Sequence, residues 1–567
     1  MINIRRELVS DITQALESAK KAGVLILDDA TIKVVVKRAE NTKHGHYASP
    51  IALSLTKSAK KPPMEIIEVL VKYMPKREYI RKTEGAAPGF LNITIDDTYL
   101  ASRIDDLPQE DICSACTIGN NKTINMEFIS ANPTGPLTLG NARTAFSADT
   151  LGNVMECAGY NVIREYYIND SGEQIARLGE SVLRRILQQE GLDVEFPEDL
   201  YQGAYISEIA KTIAEEYKET SGKKFELVDL ENSELRSEIS ANAMQICLAA
   251  IKKTIADDLH ITFDVWTSEQ SVRGSGEIEQ SIGKLKEKDL MYEKDGAQFL
   301  KTTQFGDEKD RVMIKKDGAY AYITPDVAYH QGKFDRKFDL LFTYLGADHQ
   351  GHIPKLQAAL KALGNDTSKL HMIVAQWLEI IRGGKQVALS KRKGNIYSLK
   401  DLIDEIGYDA ARFFMIHHAL EGHMVLDIDV AKEKSDANPV YYVQYAYVRL
   451  EAILRKAKVQ GIIPLGEIRA EISSRVTISH ISERDLALQL FAFPEVVEDI
   501  ATSFSVHQLA HYAYDLARAI NAFYRDIQVL NEPDTTLRAS RLQMVVAARN
   551  VLGKVIDLLG INKPDVM

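Results

Sequence analysis

Residues 123–130 read Thr-Ile-Asn-Met-Glu-Phe-Ile-Ser, alternating as a strand does, and then break into the turn-rich run Asn132-Pro133-Thr134-Gly135-Pro136. A helical pattern follows, with Ala142, Ala145, Phe146, Val154 and Ala158 on related faces and Gly159 as its stop. Strand, tight loop, helix is the opening of a nucleotide-binding βα unit, and it restricts the fold more than any other segment does. Backbone N–H groups and the dipole at such a helix start favour an anion such as phosphate. Gly140 lets a nucleotide come close to the backbone. Taken alone, these residues define a nucleotide site only loosely.

At 567 residues the chain is too long for one core and predicts roughly three to four domains of about 150 residues. No apolar run approaches the ~20 residues of a membrane span. The first residues, Met1-Ile2-Asn3-Ile4-Arg5-Arg6-Glu7, carry charge where a signal peptide would be apolar. A soluble cytoplasmic protein is therefore expected. Four cysteines do not make a disulfide framework. Cys113 and Cys116 form a CxxC without a second close pair, so they read as incidental thiols near a domain junction rather than zinc ligands. The net charge of −11 argues mildly against nucleic-acid binding, but phosphate contacts depend on local patches. One basic patch holds Lys57, Lys60, Lys61, Lys72, Lys76, Arg77, Arg81 and Lys82; by composition it reads equally well as a solvated surface.

Residues 1–112 read as a small α/β unit. A helix-like start precedes the β-branched run Ile32-Lys33-Val34-Val35-Val36, helices are expected near 49–58 and 64–73, and 89–95 alternates like a strand. A charged, mostly helical region runs from about Gln174 to Lys253. Strand-like segments return at 319–324 and 338–345, and beyond Asn438 the pattern becomes a helical bundle ending at Gly560.

The stretch Glu127-Phe128-Ile129-Ser130-Ala131-Asn132-Pro133-Thr134-Gly135-Pro136-Leu137-Thr138-Leu139-Gly140-Asn141 resembles the ATP-binding signature of class I aminoacyl-tRNA synthetases in its arginyl form. It departs where that pattern has two histidines, here Thr138 and Asn141. The run Ala388-Leu389-Ser390-Lys391-Arg392-Lys393-Gly394-Asn395 resembles the second signature, with Ala388 in place of the first lysine and Lys391 retaining the other. Tyr322-Ile323-Thr324-Pro325-Asp326-Val327-Ala328-Tyr329, Tyr344–His352 and Asn438-Pro439-Val440-Tyr441-Tyr442-Val443-Gln444-Tyr445 are similar to further arginyl-family segments. Similarity runs from the first domain to the last residues and is weakest near 185–250.

The resemblance implies a multidomain α/β plus all-α architecture. An α/β domain touching the tRNA elbow would occupy 1–112, a Rossmann-type catalytic domain with a helical insertion (about 185–250) would span 113–437, and a helical anticodon-binding domain 438–567. It implies arginine–tRNA ligation, with ATP as substrate accompanied by Mg²⁺, arginine and tRNA(Arg) as partners, a monomer, no tightly bound cofactor and no resident metal. Residues 131–141 with Ser390 and Lys391 would hold ATP, and Thr138, Asn141 and Lys391 would be catalytic. Glu127, Ser130, Asn132, Tyr322 and Asp326 would bind arginine, Asp326 pairing the guanidinium, whose rigid fork of donors suits a carboxylate. Tyr441, Tyr445, Lys60 and Lys61 would touch tRNA. Asp326 also reads as a helix N-cap, the tyrosines as helix core, and His349-x-x-His352 has metal spacing without a third ligand. A class I synthetase for another amino acid, or a non-catalytic tRNA-binding relative, are the rival functions.

Overall fold

The computed structural model describes residues 1–27, 32–39, 44–107, 111–387, 397–462 and 475–567. It divides into two compact units: residues 1–118 together with 439–504 and 508–567, and residues 119–438 with 505–507.

The second unit is built on a five-stranded parallel sheet. Its strands are β1 (Thr123–Glu127), β2 (Asn161–Ile168), β3 (Val265–Ser268), β4 (Leu340–Gly346) and β5 (Leu370–Ala375), ordered β5-β4-β1-β2-β3. Every neighbouring pair is parallel, and Thr343 on β4 stands opposite Glu127 on β1. Strand order reverses at β1, so the crevice beyond the carboxyl ends of β1 and β4 is a topological switch point, where ligands bind in open α/β sheets. Ile124, Asn125, Met126 and Glu127 are all buried. Both faces of a parallel sheet are covered, so the polar half of the alternation marks buried polar groups rather than a wet face.

Helix α1 (Leu139–Cys157) follows β1 and is buried on nearly all sides. No strand forms over the segment expected at 319–324: Tyr320 makes only an isolated bridge to Ile314, and helix α2 (Ile323–Asp335) begins before the segment ends. The aromatic and β-branched residues suggest a strand, but Pro325 sits in the first helical turn, where a missing N–H costs nothing. The helical region contains Glu173–Gln189, Ala204–Ser221 and Ser233–Asp257, joined by a core including Leu178, Ile186, Ile206 and Ala243.

In the first unit, a four-stranded antiparallel sheet orders Lys37–Arg38, Tyr47–Ser49, Phe90–Ile95 and Ile80–Ala86. The β-branched run 32–36 forms no strand; pairing begins at Lys37 opposite Ala48, because propensity without a partner edge does not make a strand. Helices Pro439–Val459, Ile481–Leu490, Phe493–Ser503, His507–Asp526 and Thr535–Leu559 make up the carboxyl-terminal part. The two ends of the chain are joined closely within this unit. Arg5 Nη1 reaches Asp499 Oδ2 at 2.7 Å, the Tyr47 hydroxyl donates to Glu495 at 2.7 Å, and Arg484 grips Asp97 with two bonds of 2.6 Å. Burial raises the Glu495 carboxyl above its ordinary range, which Tyr47, Arg38 and Arg5 partly offset.

Cys116 and Cys247 are free and buried, whereas Cys113 and Cys157 are disulfide-bonded. The expectation of incidental thiols is corrected on that point, since spacing along a chain does not report which thiols a fold brings together. No helix among the described residues is long and apolar enough to cross a membrane.

Candidate active site

A cleft of about 1290 Å³ opens at the carboxyl ends of β1 and β4. Glu127, Ser130, Asn132, Tyr322 and Asp326 line it, as do Ala131, Thr134, Gly135, Pro136, Thr138, Leu139, Gly140 and Asn141. Pro133 and Leu137, expected in the ATP set, are buried and do not line it; their role is to pack the turn. Ala388, Ser390 and Lys391 lie outside the described residues.

The turn after β1 is strained and braced. Ile129 and Ser130 take φ values of 64° and 38°, a left-handed conformation unfavourable to side-chain-bearing residues and worst for a β-branched one. Ser130 Oγ donates to Glu127 Oε1 at 3.0 Å and accepts from the Tyr167 amide at 3.1 Å, fixing the pose. Asn132 donates to Gln174 at 2.7 Å, and the Tyr205 hydroxyl donates to the Thr134 carbonyl at 2.8 Å.

Thr138 is the N-cap of α1, in a reciprocal capping box with Asn141. The Thr138 hydroxyl accepts from the Asn141 amide at 3.3 Å and donates to Asn141 Oδ1 at 2.7 Å; the Thr138 amide also donates to Oδ1, at 2.9 Å. The Thr138–Asn141 pair, at the two positions where the resembled signature has histidines, therefore secures the helix start. Helix geometry leaves the amides of Leu139 and Gly140 for an anion. A Cβ at Gly140 would meet nothing closer than Thr138 Oγ1 at 3.7 Å. Protein packing does not demand glycine there, and the residue faces the cleft.

The acidic wall is more elaborate than its two carboxylates. Glu127 is buried, with Lys333 Nζ 2.5 Å from Oε2 and Thr343 Oγ1 at 3.4 Å. Lys333 is fully enclosed. Next to it, Glu165 accepts from Asn125, Thr267 and Arg336 at 2.6–2.8 Å. Burial pushes Glu165 up, but Lys333, Thr267 and Arg336 outweigh it and hold the group below the usual carboxylate range.

Asp326 occupies the first turn of α2, and the N-cap position belongs to Tyr322, so the capping role for Asp326 is excluded. Its Oδ2 lies 3.0 Å from His352 Nε2, and the Tyr322 and His352 rings meet edge to face at 5.9 Å. His330 is held neutral: burial foremost, then Lys333, lowers it to about 3. Its Nδ1–H donates to the Asp326 carbonyl at 2.8 Å, the only sense a carbonyl permits. The Tyr167 and Tyr344 hydroxyls are buried beside the cleft without a hydrogen-bond partner among the described residues, and burial raises both phenols so that they remain neutral.

Sequence reasoning missed Lys333, His330 and Arg143. Lys333 falls seven residues after Asp326, two turns along the same face, which was the available signal. Among the described residues no group of three or more His, Cys, Asp or Glu is placed to hold a metal ion.

The expected tRNA contacts belong to the other unit. Tyr441 and Tyr445 stack at 5.8 Å with 13° between planes, and Arg449 lies over both Tyr445 and Tyr524. Tyr441 and Tyr445 are partly exposed, so they are not core residues. Lys60 is exposed after Ile51–Ala59, and Lys61 pairs with Glu65 at 3.6 Å.

Three family models match in order: the arginyl tRNA synthetase N terminal domain over residues 6–95, the class I (R) tRNA synthetase catalytic domain over 106–448, and the DALR anticodon binding domain over 443–567. The arginine–tRNA ligase of Geobacillus kaustophilus is 38% identical, covering 100% of this chain and 99% of the relative. That of Bacillus subtilis is 37% identical over 100% of both. The solved arginyl-tRNA synthetase of Thermus thermophilus shares the fold with a TM-score of 0.77 at 21% identity, covering 99% of this chain and 100% of that one. With identity of this level held from end to end, and a catalytic-domain match over more than half its length, the chain belongs to the arginyl-tRNA synthetase family.

Proposed function

We propose that the cleft joins arginine to ATP as arginyl-adenylate and then passes the arginyl group to tRNA(Arg), releasing AMP and diphosphate overall. The observation that carries the reading is that Glu127 and Asp326, far apart in sequence, line one cleft with the Thr138–Asn141 helix start. Asp326 takes the guanidinium, with Tyr322 beside it. Glu127, Ser130 and Asn132 take the ammonium group and remaining polar atoms. The triphosphate lies against the start of α1, and Mg²⁺ arrives on its oxygens rather than in a protein cage.

The arginine carboxylate attacks the α-phosphorus in line, and pyrophosphate leaves. Catalysis is then mainly positioning and charge stabilisation. Asn141 and the amides of Leu139 and Gly140 face the phosphates; Thr138 holds Asn141 in place; Lys391 supplies the positive charge as pyrophosphate departs. The 2′-hydroxyl of the terminal adenosine next attacks the activated carbonyl. Adenylate formation waits for bound tRNA, whose anticodon bases stack on Tyr441 and Tyr445 and whose elbow meets Lys60 and Lys61. The domain limits 1–112, 113–437 and 438–567 divide these tasks, in a monomer working in the cytoplasm.

A charging assay comparing amino acids tests this: arginine must win, and a better competitor would transfer the chain to another specificity. Pyrophosphate exchange that is absent both with and without tRNA would mark a binding-only protein.

A further inference from the structure

We propose that the indole of Trp377 is the platform on which the adenine ring of ATP stacks. The assignment rests on the reading of the Thr138–Asn141 turn as the phosphate site. Trp377 follows β5, lines the cleft, and is nevertheless 67% exposed. A large aromatic face left in water inside a binding cleft gains when a flat apolar ligand covers it.

Its backbone, unlike its ring, is tightly held. The Trp377 carbonyl accepts from the Met424 amide at 3.2 Å, and the Gln376 amide donates to the Leu420 carbonyl at 3.0 Å. Arg143 completes the anchor. Among the described residues this fully buried guanidinium bonds no carboxylate; it donates instead to the carbonyls of Gln376 (2.6 Å), Trp377 (3.4 Å), Ala419 (2.9 Å) and Gly422 (2.8 Å). Burial lowers it to about 10, so it remains a cation at neutral pH.

Arg143 lies one turn into α1, two residues beyond Asn141. One side chain thus ties the segment bearing the indole to the helix whose start receives the phosphates. The carboxyl ends of β1 and β5 are separated by one intervening strand, about 10 Å. That separation suits a nucleotide with its phosphates over the helix start and its base toward the sheet edge, leaving the carboxylate wall to the amino acid.

The chain has two tryptophans, and the other, Trp266, stacks on Tyr166 at 4.6 Å. Trp266→Phe therefore leaves Trp377 as the sole tryptophan of the full-length protein. ATP is expected to quench its fluorescence saturably, whereas tripolyphosphate is not. In charging assays with tRNA present, Trp377→Ala raises the ATP KM roughly 5- to 100-fold, the range for losing one base–aromatic stack, while the arginine and tRNA KM values hold. Trp377→Phe recovers most of the loss.

Unchanged fluorescence at ATP concentrations that saturate charging would overturn the proposal, as would equal quenching by tripolyphosphate. A rise in the tRNA KM instead of the ATP KM would assign the indole to the terminal adenosine. Asn141→Ala separates the two readings. If it leaves the ATP KM unchanged while Trp377→Ala raises it, the phosphate assignment fails and the platform stands.

Discussion

On the proposed reading, the two ends of the cleft recognise charge in opposite ways. At the carboxylate end, Glu127 is sunk against a fully buried Lys333, with Thr343 and Ser130 also donating to it and acceptor capacity left over. At the end assigned to phosphate, the groups proposed to receive it are backbone amides at a helix start, and the side chains Thr138 and Asn141 cap that helix. The carboxylate end gains selectivity from ions withdrawn from water, where a misplaced charge costs several kcal/mol. The end assigned to phosphate needs only a well-formed helix, which the Thr138–Asn141 capping box supplies.

The contrast is most strongly broken at Lys333. Lys333→Met leaves Glu127 buried without its counter-ion and is expected to lower unfolding stability by about 3–5 kcal/mol in denaturant titrations. Adding Glu127→Gln should return much of that loss; strictly additive losses would show the pair to be uncoupled. Asp326→Ala is expected to cost about 2–5 kcal/mol of arginine recognition, read as a raised arginine KM with the ATP KM unchanged. Equal effects on both would remove Asp326 from the amino-acid end.

The next effect appears only in acid. His330 is depressed to about 3 from 6.5, so the folded state binds its proton less readily than the unfolded state does. Its contribution is complete above pH 6.5 and is lost as pH falls from there toward 3, with a slope of at most about 1.4 kcal/mol per pH unit. A Tm–pH profile should therefore fall less steeply over that window in His330→Gln. An unchanged profile would mean another group sets the acid limb. The smallest effect belongs to the phosphate end, where Thr138→Ala removes a cap worth about 1 kcal/mol and Thr138→Ser retains it.

Legibility in the sequence follows the same divide. The strand–turn–helix around Thr138 is contiguous, so spacing alone reveals it, and the observed helix, Leu139–Cys157, stops before Gly159 as expected. The segment 319–324 was misread because Tyr320, Tyr322 and Ile323 favour strands intrinsically, while the structure uses the tolerance of a first helical turn for Pro325. Lys333 bonds a residue 206 positions away and looked like an ordinary helical lysine. Arg143 was equally hidden, because a guanidinium held by carbonyls leaves no complementary acid to notice.

The joining of the chain's two ends has a consequence for biogenesis. Arg5 and Tyr47 leave the ribosome well before their acceptors on Glu495 and Asp499, which emerge about 450 to 490 positions later. At about 5–20 residues per second the amino-terminal segment waits roughly 25–100 s for those partners. Residues 119–438 can close their sheet meanwhile. A ribosome stalled before Pro439 would thus carry residues 119–438 already made and a preceding segment still without its acceptors, a species for chaperones to shield.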